Sequence, residues 1–369
     1  VGIRSQAQRK TSCRSIFYCR LPWRRHKEIC KFHGNRCVTT VSVALKDQRL
    51  RLLLTTYHQA FLSPGGGETE LHQLAEYIND VGVRADLYGP NSRRLSAYDA
   101  VIHFSAHGGG EGLLQDIKAA GKPIALIPNF NFFDQQHKAN DVVQRHLDLA
   151  DLVILRTHVE KDLCQKNFVI ANDKIAVVPP GIAPGFGKPA EEGLFQSAYG
   201  LDRYILWVGQ IAEHKRQLET IEALKGINIP LIFVGGYADK RYYDQCRAAA
   251  GDDVRFLPYM QPASEILRSA MQSCSVYLEL GDDAPGFSSL EAALAGSPMV
   301  LNDHPWSREV FGSLPIYVET NNPAAIRAAV TTALDTGTRN QLTEEMRSRH
   351  LQPGPTRHLL ELLKLKVGR

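Results

Sequence analysis

Long apolar runs are missing from this sequence. Nothing in its 369 residues approaches the roughly 18 to 20 consecutive apolar positions that a membrane-crossing helix needs, so any membrane contact is expected to be peripheral. C-x-x-C pairs are missing as well, which weakens a zinc-module reading of the seven cysteines. G-x-S-x-G is absent, so the "HGGG" at 107–110 has no nucleophilic serine to serve as a lipase-type oxyanion loop. The glycine triplet at 65–67 lacks the further glycine of a dinucleotide fingerprint.

Acidic residues are almost absent from the N-terminal end. Residues 1–40 hold ten Lys or Arg against one acid, Glu28, and four of the seven cysteines, Cys13, Cys19, Cys30 and Cys37. Such a stretch suits a transit peptide, a nucleic-acid-binding arm or a zinc module. The reading preferred here is a disordered extension, residues 1–48, upstream of the true start. The remainder carries 33 basic and 38 acidic residues, a net charge of −5, and nucleic acid is not an expected partner. Cys164, Cys246 and Cys274 are scattered, as in a reducing compartment, and the cytoplasm is the expected location.

What the chain does have is alternation. "RLLLTTY", "AVIHFS", "PIALIP" and "LVILRT" have the length and composition of buried strands. "ETELHQLAEYINDV" places Leu71, Leu74, Ala75 and Ile78 on one helical face. A second series, "YILWVG", "PLIFVGG", "VRFLPY", "SVYLEL" and "PMVLND", follows a Gly-, Pro- and charge-rich stretch at 183–200, whose composition suits a linker. The expected fold is α/β, with two doubly wound parallel-sheet domains at 49–185 and 201–349 and a linker at 186–200. Ligands of such sheets bind beyond the carboxyl ends of the strands, so the loops there hold the candidate sites.

Four loops qualify. "SPGGGETE" at 63–70 lets a backbone approach an anion through Gly65, Gly66 and Gly67, or is a mobile connection. "HFSAHGGGEG" at 103–112 is a glycine turn with His107 facing a cleft, or a surface loop; no third metal ligand accompanies His103 and His107. "VGQIAEHKRQ" at 208–217 aims Lys215 and Arg216 at an anion, or is a solvated charge cluster. In "GDDAPGFSSLEAALAGSP", Ser288 or Ser289 is the expected N-cap of a helix and Glu291 falls in its first turn, where the helix dipole favours the ionised carboxylate. Glu291 would accept hydrogen bonds from ribose hydroxyls while free N–H groups hold a diphosphate. The plainer alternative is that Glu291 helps cap its helix and Asp283 is a solvated turn residue.

In order, these motifs resemble the retaining glycosyltransferases of family 4, which have the GT-B architecture of two Rossmann-like domains facing a central cleft. "PGGGETE" is similar to their N-terminal glycine loop, "ADLVILRTHVEKDL" and "KIAVVPPGIAPGF" to two later segments of the first domain. "ILWVGQIAEHK", "IFVGG", "VRFLPYM" and "DAPGFSSLEAALAGSPMV" are similar to the second domain's motifs, with Asp283 and Glu291 as the acids of E-x7-E.

The resemblance covers about residues 49–369 and implies transfer of a sugar from a nucleoside-diphosphate sugar to a glycan or lipid-linked glycan. It implies no metal and no separate cofactor, and a C-terminal helix at about 350–369 packing back on the first domain. Asp283 and Lys215 would be catalytic. Gly65, Gly66, Gly67, Gly209, Gln210, Lys215, Arg216, Tyr259, Gly286, Phe287, Ser288 and Glu291 would contact the donor, and His107, Asn129 and Asn131 the acceptor side.

Three positions depart from the pattern. Gln210 stands where the family has Arg, Asp283 where it has Glu, and Asn129 where it has an N-domain His. A nucleotide-sugar epimerase and a silent nucleotide-sugar-binding subunit are the alternatives.

Overall fold

The computed structural model describes residues 32–33, 36–37, 50–62, 66–130, 140–284 and 286–368. Gly65, Asn131 and Cys13, Cys19 and Cys30 of the basic extension therefore lie outside the described residues. The chain divides into two units, 1–48 and 49–369. In the first, β1 (Phe32–His33) pairs antiparallel with β2 (Arg36–Cys37).

The second unit holds two six-stranded sheets, parallel at every pairing. Its first half runs β3 (Arg51–Thr55), α1 (Gly66–Asp80), β4 (Arg84–Leu87), β5 (Ala100–Phe104), α2 (Glu111–Ala119) and β6 (Ile124–Ile127). It continues through α3 (Asp141–Leu149), β7 (Leu152–Leu155), α4 (His158–Asn167) and β8 (Ile175–Val177). The sheet order is β4-β3-β5-β6-β7-β8. Every residue of β5, β6 and β7 is buried, because helices cover both faces of such a sheet and leave no side for alternation. Leu71, Ala75 and Ile78 of α1 turn inward at helical spacing onto Leu52, Leu54, Ile102 and Phe104.

The second half comprises α5 (Leu194–Tyr199), β9 (Ile205–Val208), α6 (Gln217–Leu224), β10 (Leu231–Val234), α7 (Lys240–Ala249), β11 (Val254–Leu257), α8 (Glu265–Ser273) and β12 (Val276–Glu279). After these come α9 (Phe287–Leu294), β13 (Met299–Asn302), α10 (Pro305–Phe311), β14 (Ile316–Val318) and α11 (Pro323–Thr336). Its order, β11-β10-β9-β12-β13-β14, reverses direction between β9 and β12. The two doubly wound sheets are those the strand and helix alternation implies.

Two segments join the halves more closely than composition suggests. Within the Gly- and Pro-rich stretch 183–200, Phe186 and Phe195 are fully buried in the second half's core, and Phe195 stacks obliquely on Tyr204. After α12 (Thr343–His350), helix α13 (Gly354–Val367) sends Leu359, Leu360 and Leu363 into the core of the first half. Each such leucine contributes roughly 1.5–3 kcal/mol, enough for the C-terminal end to hold its place against the first sheet.

Candidate functional site

The reversal between β9 and β12 fixes where the second half can hold a ligand, since the loops leaving these adjacent strands part company there and leave a crevice. The loop after β9 carries Gly209, Gln210, Lys215 and Arg216, and the loop after β12 carries Asp282 and Asp283. The Asp282 N–H donates to the His214 carbonyl at 2.8 Å, tying one loop to the other. Close approach needs glycine at two points. A Cβ on Gly235, whose φ is +150°, would stand 2.2 Å from the Gly209 carbonyl oxygen, and one on Gly281 would stand 2.6 Å from Asp283 Oδ1.

Lys215 and Asp283 are brought together, and a third group joins them. The Lys215 Nζ lies 2.6 Å from Asp283 Oδ2 and 3.0 Å from Glu279 Oε1, with its side chain 13% exposed. Burial opposes the charge on Lys215, yet the carboxylates of Glu279 and Asp283 outweigh it and hold the lysine above its ordinary pKa. Glu279 is buried at the last position of β12, where it also accepts from the Gly286 N–H at 3.3 Å and from the Ser289 hydroxyl. Burial raises its pKa, with Lys215 opposing. Asp283 Oδ1 is buried without a hydrogen-bond partner among the described residues.

Glu279 was not among the candidates read from the sequence. Its signal was an acid closing the otherwise apolar strand "VYLE", at the carboxyl end where ligands bind. Arg216 faces away from this cluster in its bonding: its Nε contacts Asp282 at 2.6 Å, and its backbone is left-handed at φ +56°.

Helix α9 corrects two expectations. Neither Ser288 nor Ser289 is its N-cap; the helix begins at Phe287, Gly286 stands in the cap position, and no side chain caps it. The reason is competition: the buried Glu279 carboxylate captures the Ser289 hydroxyl and the Gly286 N–H. Glu291 is therefore the fifth residue of the helix rather than part of its first turn. Burial dominates over the helix dipole there, and the Glu291 carboxyl is pushed up to about 8.

Glu291 is only 9% exposed, yet its carboxyl has no hydrogen bond or ion pair among the described residues. Two phenols feel its charge. Burial raises Tyr77 of α1 in the first half, to about 12, and Tyr259 beyond β11, and the Glu291 charge adds to the rise in both. Tyr259 itself is 60% exposed, and Gln210 is exposed.

The first half meets α9 through Arg156, just past β7, whose guanidinium carbon lies 5.6 Å from the Phe287 ring centroid. Arg156 pairs with Glu70 and donates to Asn129 Oδ1 at 3.3 Å. Gly66 and Gly67 open helix α1 rather than a free loop, and a Cβ on Gly67 would meet Phe104 at 3.0 Å and Asn129 Nδ2 at 3.7 Å. His107 follows the same sheet edge, its N–H donating to Ser105 Oγ at 3.1 Å. Thus Gly67, Asn129 and Arg156 form one group around the strand ends, while Lys215, Asp283, Gly286 and Glu279 form another. Phe287 links the two. Among the described residues no cluster of three or more His, Cys, Asp or Glu could hold a metal ion, and no helix is long and apolar enough to cross a membrane.

This geometry can be set beside known proteins. Residues 195–349 match the model of the family "Glycosyl transferases group 1". That span contains Lys215, Glu279, Asp283 and Glu291. A D-rhamnosyltransferase, WbpZ of Pseudomonas aeruginosa, is 27% identical over 165 residues, which are 43% of this chain and 43% of that protein. The match thus spans less than half of the curated relative's length.

Among solved structures, a sucrose-phosphate synthase from Thermosynechococcus elongatus is 14% identical with a TM-score of 0.73, covering 87% of this chain and 100% of that one. Anabaena HepE, solved in complex with UDP and glucose, is 15% identical with a TM-score of 0.69 and covers 86% and 100%. WaaG, a glycosyltransferase of lipopolysaccharide biosynthesis, is 13% identical with a TM-score of 0.61 and covers 86% and 100%. At these identities the likeness establishes the two-domain Rossmann-like fold.

Proposed function

We propose that this chain transfers a sugar from a nucleoside-diphosphate sugar to a glycan or lipid-linked acceptor, with retention of anomeric configuration. The observation that carries the reading is Glu291, a residue only 9% exposed whose carboxyl has no partner among the described residues, one helical turn beyond the uncapped start of α9. Burial pushes the Glu291 carboxyl up to about 8, and hydrogen bonds donated to its ionised form would offset that effect. Paired ribose hydroxyls supply the missing donors. The N–H groups of Phe287 and Ser288 face the diphosphate, and Lys215 stands across the loop pair as its cation. The match of residues 195–349 and the shared fold support a group 1 glycosyltransferase.

In the reaction the bond between the anomeric carbon and the diphosphate oxygen breaks, and its electron pair leaves with the diphosphate. The acceptor hydroxyl forms the new bond and its proton goes to the departing phosphate. Lys215 and the first turn of α9 stabilise the negative charge that grows on the leaving group, the kind of preorganised help worth several kcal/mol, roughly 3–4 for a single donor. Asp283, whose Oδ1 lacks a hydrogen-bond partner among the described residues, orients the sugar hydroxyls. The Gly66–Gly67 end of α1 closes the donor side, with Gln210 and Tyr259 at its rim, and His107 and Asn129 lie on the acceptor side.

Turnover tests this directly. Incubation with UDP-, GDP- and ADP-sugars and an oligosaccharide acceptor, followed by proton NMR of the product, is expected to show nucleoside diphosphate released and the new linkage in the donor's anomeric configuration. An inverted linkage contradicts retention, and an isomerised donor without transfer indicates the epimerase. Tight nucleotide binding with no turnover indicates a silent binding subunit, a second reading favoured by the two carboxylates already bonded to Lys215.

A further inference from the structure

The cations of the second-half crevice are already matched by acids. Lys215 is shared by Glu279 and Asp283, and Arg216 is held by Asp282 at 2.6 Å. An incoming diphosphate brings further negative charge to the start of α9. A second cation beside Lys215 would balance that added charge, and Arg156 of the opposite half lies against the first residue of α9.

Its guanidinium rests 5.6 Å from the ring centroid of Phe287, the first residue of α9, within cation–π range. Two cavities of about 60 and 50 Å³ share Arg156, Pro180 and Phe287 in their walls, so the guanidinium borders open space where the halves meet. Arg156 is fixed from behind by Glu70 of α1 and by Asn129 Oδ1 at 3.3 Å. Asn129 holds that position with a left-handed backbone, φ +53°, which asparagine adopts more readily than most non-glycine residues.

We propose that Arg156 is a donor-binding residue, supplying from the first half the guanidinium that grips the diphosphate at the α9 N-terminus. The inference rests on the donor-site reading given above. A planar guanidinium can bind two phosphate oxygens at once, so the first half senses the phosphates and not the base. Burial raises the pKa of Glu70 even against the opposing influence of Arg156, and does the same for Glu160, the second buried acid that Arg156 acts on.

The test compares affinities, by titration calorimetry, for uridine, guanosine and adenosine and their mono- and diphosphates. The proteins are wild type, Arg156→Lys, Arg156→Gln and the double variant Glu70→Gln/Arg156→Gln, which removes the carboxylate paired with Arg156 together with the guanidinium. For the cognate base, nucleoside affinity is expected to stay within twofold in every variant. Diphosphate affinity falls at least tenfold in both Gln variants and by less in Arg156→Lys. A folded Arg156→Gln or double variant that keeps the wild-type ratio of diphosphate to nucleoside affinity overturns the assignment of Arg156 alone. Wild-type protein that binds no nucleotide overturns the donor-site reading with it.

Discussion

Alanine at Glu291 is expected to abolish the stabilisation that the cognate nucleoside diphosphate gives the wild-type protein. For the wild type, a ligand present at a hundred times its dissociation constant adds about 2.7 kcal/mol, read as a rise in Tm. In Glu291→Ala that rise disappears, because the ribose hydroxyls lose the acceptor that they alone satisfy. The variant itself is expected to fold normally, since the carboxyl it removes has no partner among the described residues. An undiminished thermal shift in Glu291→Ala would place the nucleoside elsewhere.

The same residue gives the unliganded protein a pH dependence. A carboxyl held near 8 when folded and near 4.3 when unfolded contributes stability that is complete below the unfolded value. That contribution is lost as pH rises through about 8, because the folded state binds the extra proton. Glu291→Gln is expected to flatten that slope.

The second large effect is at Lys215. Replacing it with alanine leaves Glu279 and Asp283 facing each other without the ammonium that both contact at 3.0 and 2.6 Å. Removing one member of a buried ionic group costs about 3–5 kcal/mol, so Lys215→Ala is expected to show a clear drop in denaturation midpoint. Turnover is expected to fall by roughly 10²–10³ as well, the typical loss for one electrostatic donor to a developing charge.

Stability and catalysis separate in the double variant Lys215→Ala/Glu279→Gln. The neutral amide introduced at the end of β12 still accepts from Gly286 and Ser289 and relieves the repulsion with Asp283, so the denaturation midpoint recovers in part. Activity stays low. Recovery of both together would mean that Lys215 serves only to hold the loops.

Much of the architecture was legible in the sequence because strands covered on both faces read as unbroken apolar runs, such as "LVIL" at β7 and "IALI" at β6. Two of the sheet-edge strands were harder. β4 is only "RADL", with two charges in four residues, and β14 only the three residues "IYV", too short for a pattern. Phe186 and Phe195 were hidden for the opposite reason: two buried aromatics inside a Gly- and Pro-rich stretch carry no periodicity of their own.

At the site, the strand-end loops and the family resemblance pointed to Asp283, Lys215 and Glu291, but not to the contacts among them. The two- or three-residue error in the start of α9 put Glu291 beyond the first turn, and its expected state changed from ionised at a helix end to held near 8 by burial. Glu279 carried only the weak signal of an acid closing an apolar strand, and Arg156 only that of a lone charge just past one. Only the sheet order, which sets β9 beside β12, and the packing of Arg156 against Phe287 give them partners.

The most direct measurement is the number of protons exchanged when the nucleoside diphosphate binds at pH 7, from calorimetric titrations in buffers of differing ionisation enthalpy. A carboxyl near 8 that becomes ionised by accepting ribose hydroxyls should release close to one proton, and Glu291→Gln should release none. Binding without proton release, or release that persists in Glu291→Gln, would contradict the assignment of the ribose to Glu291.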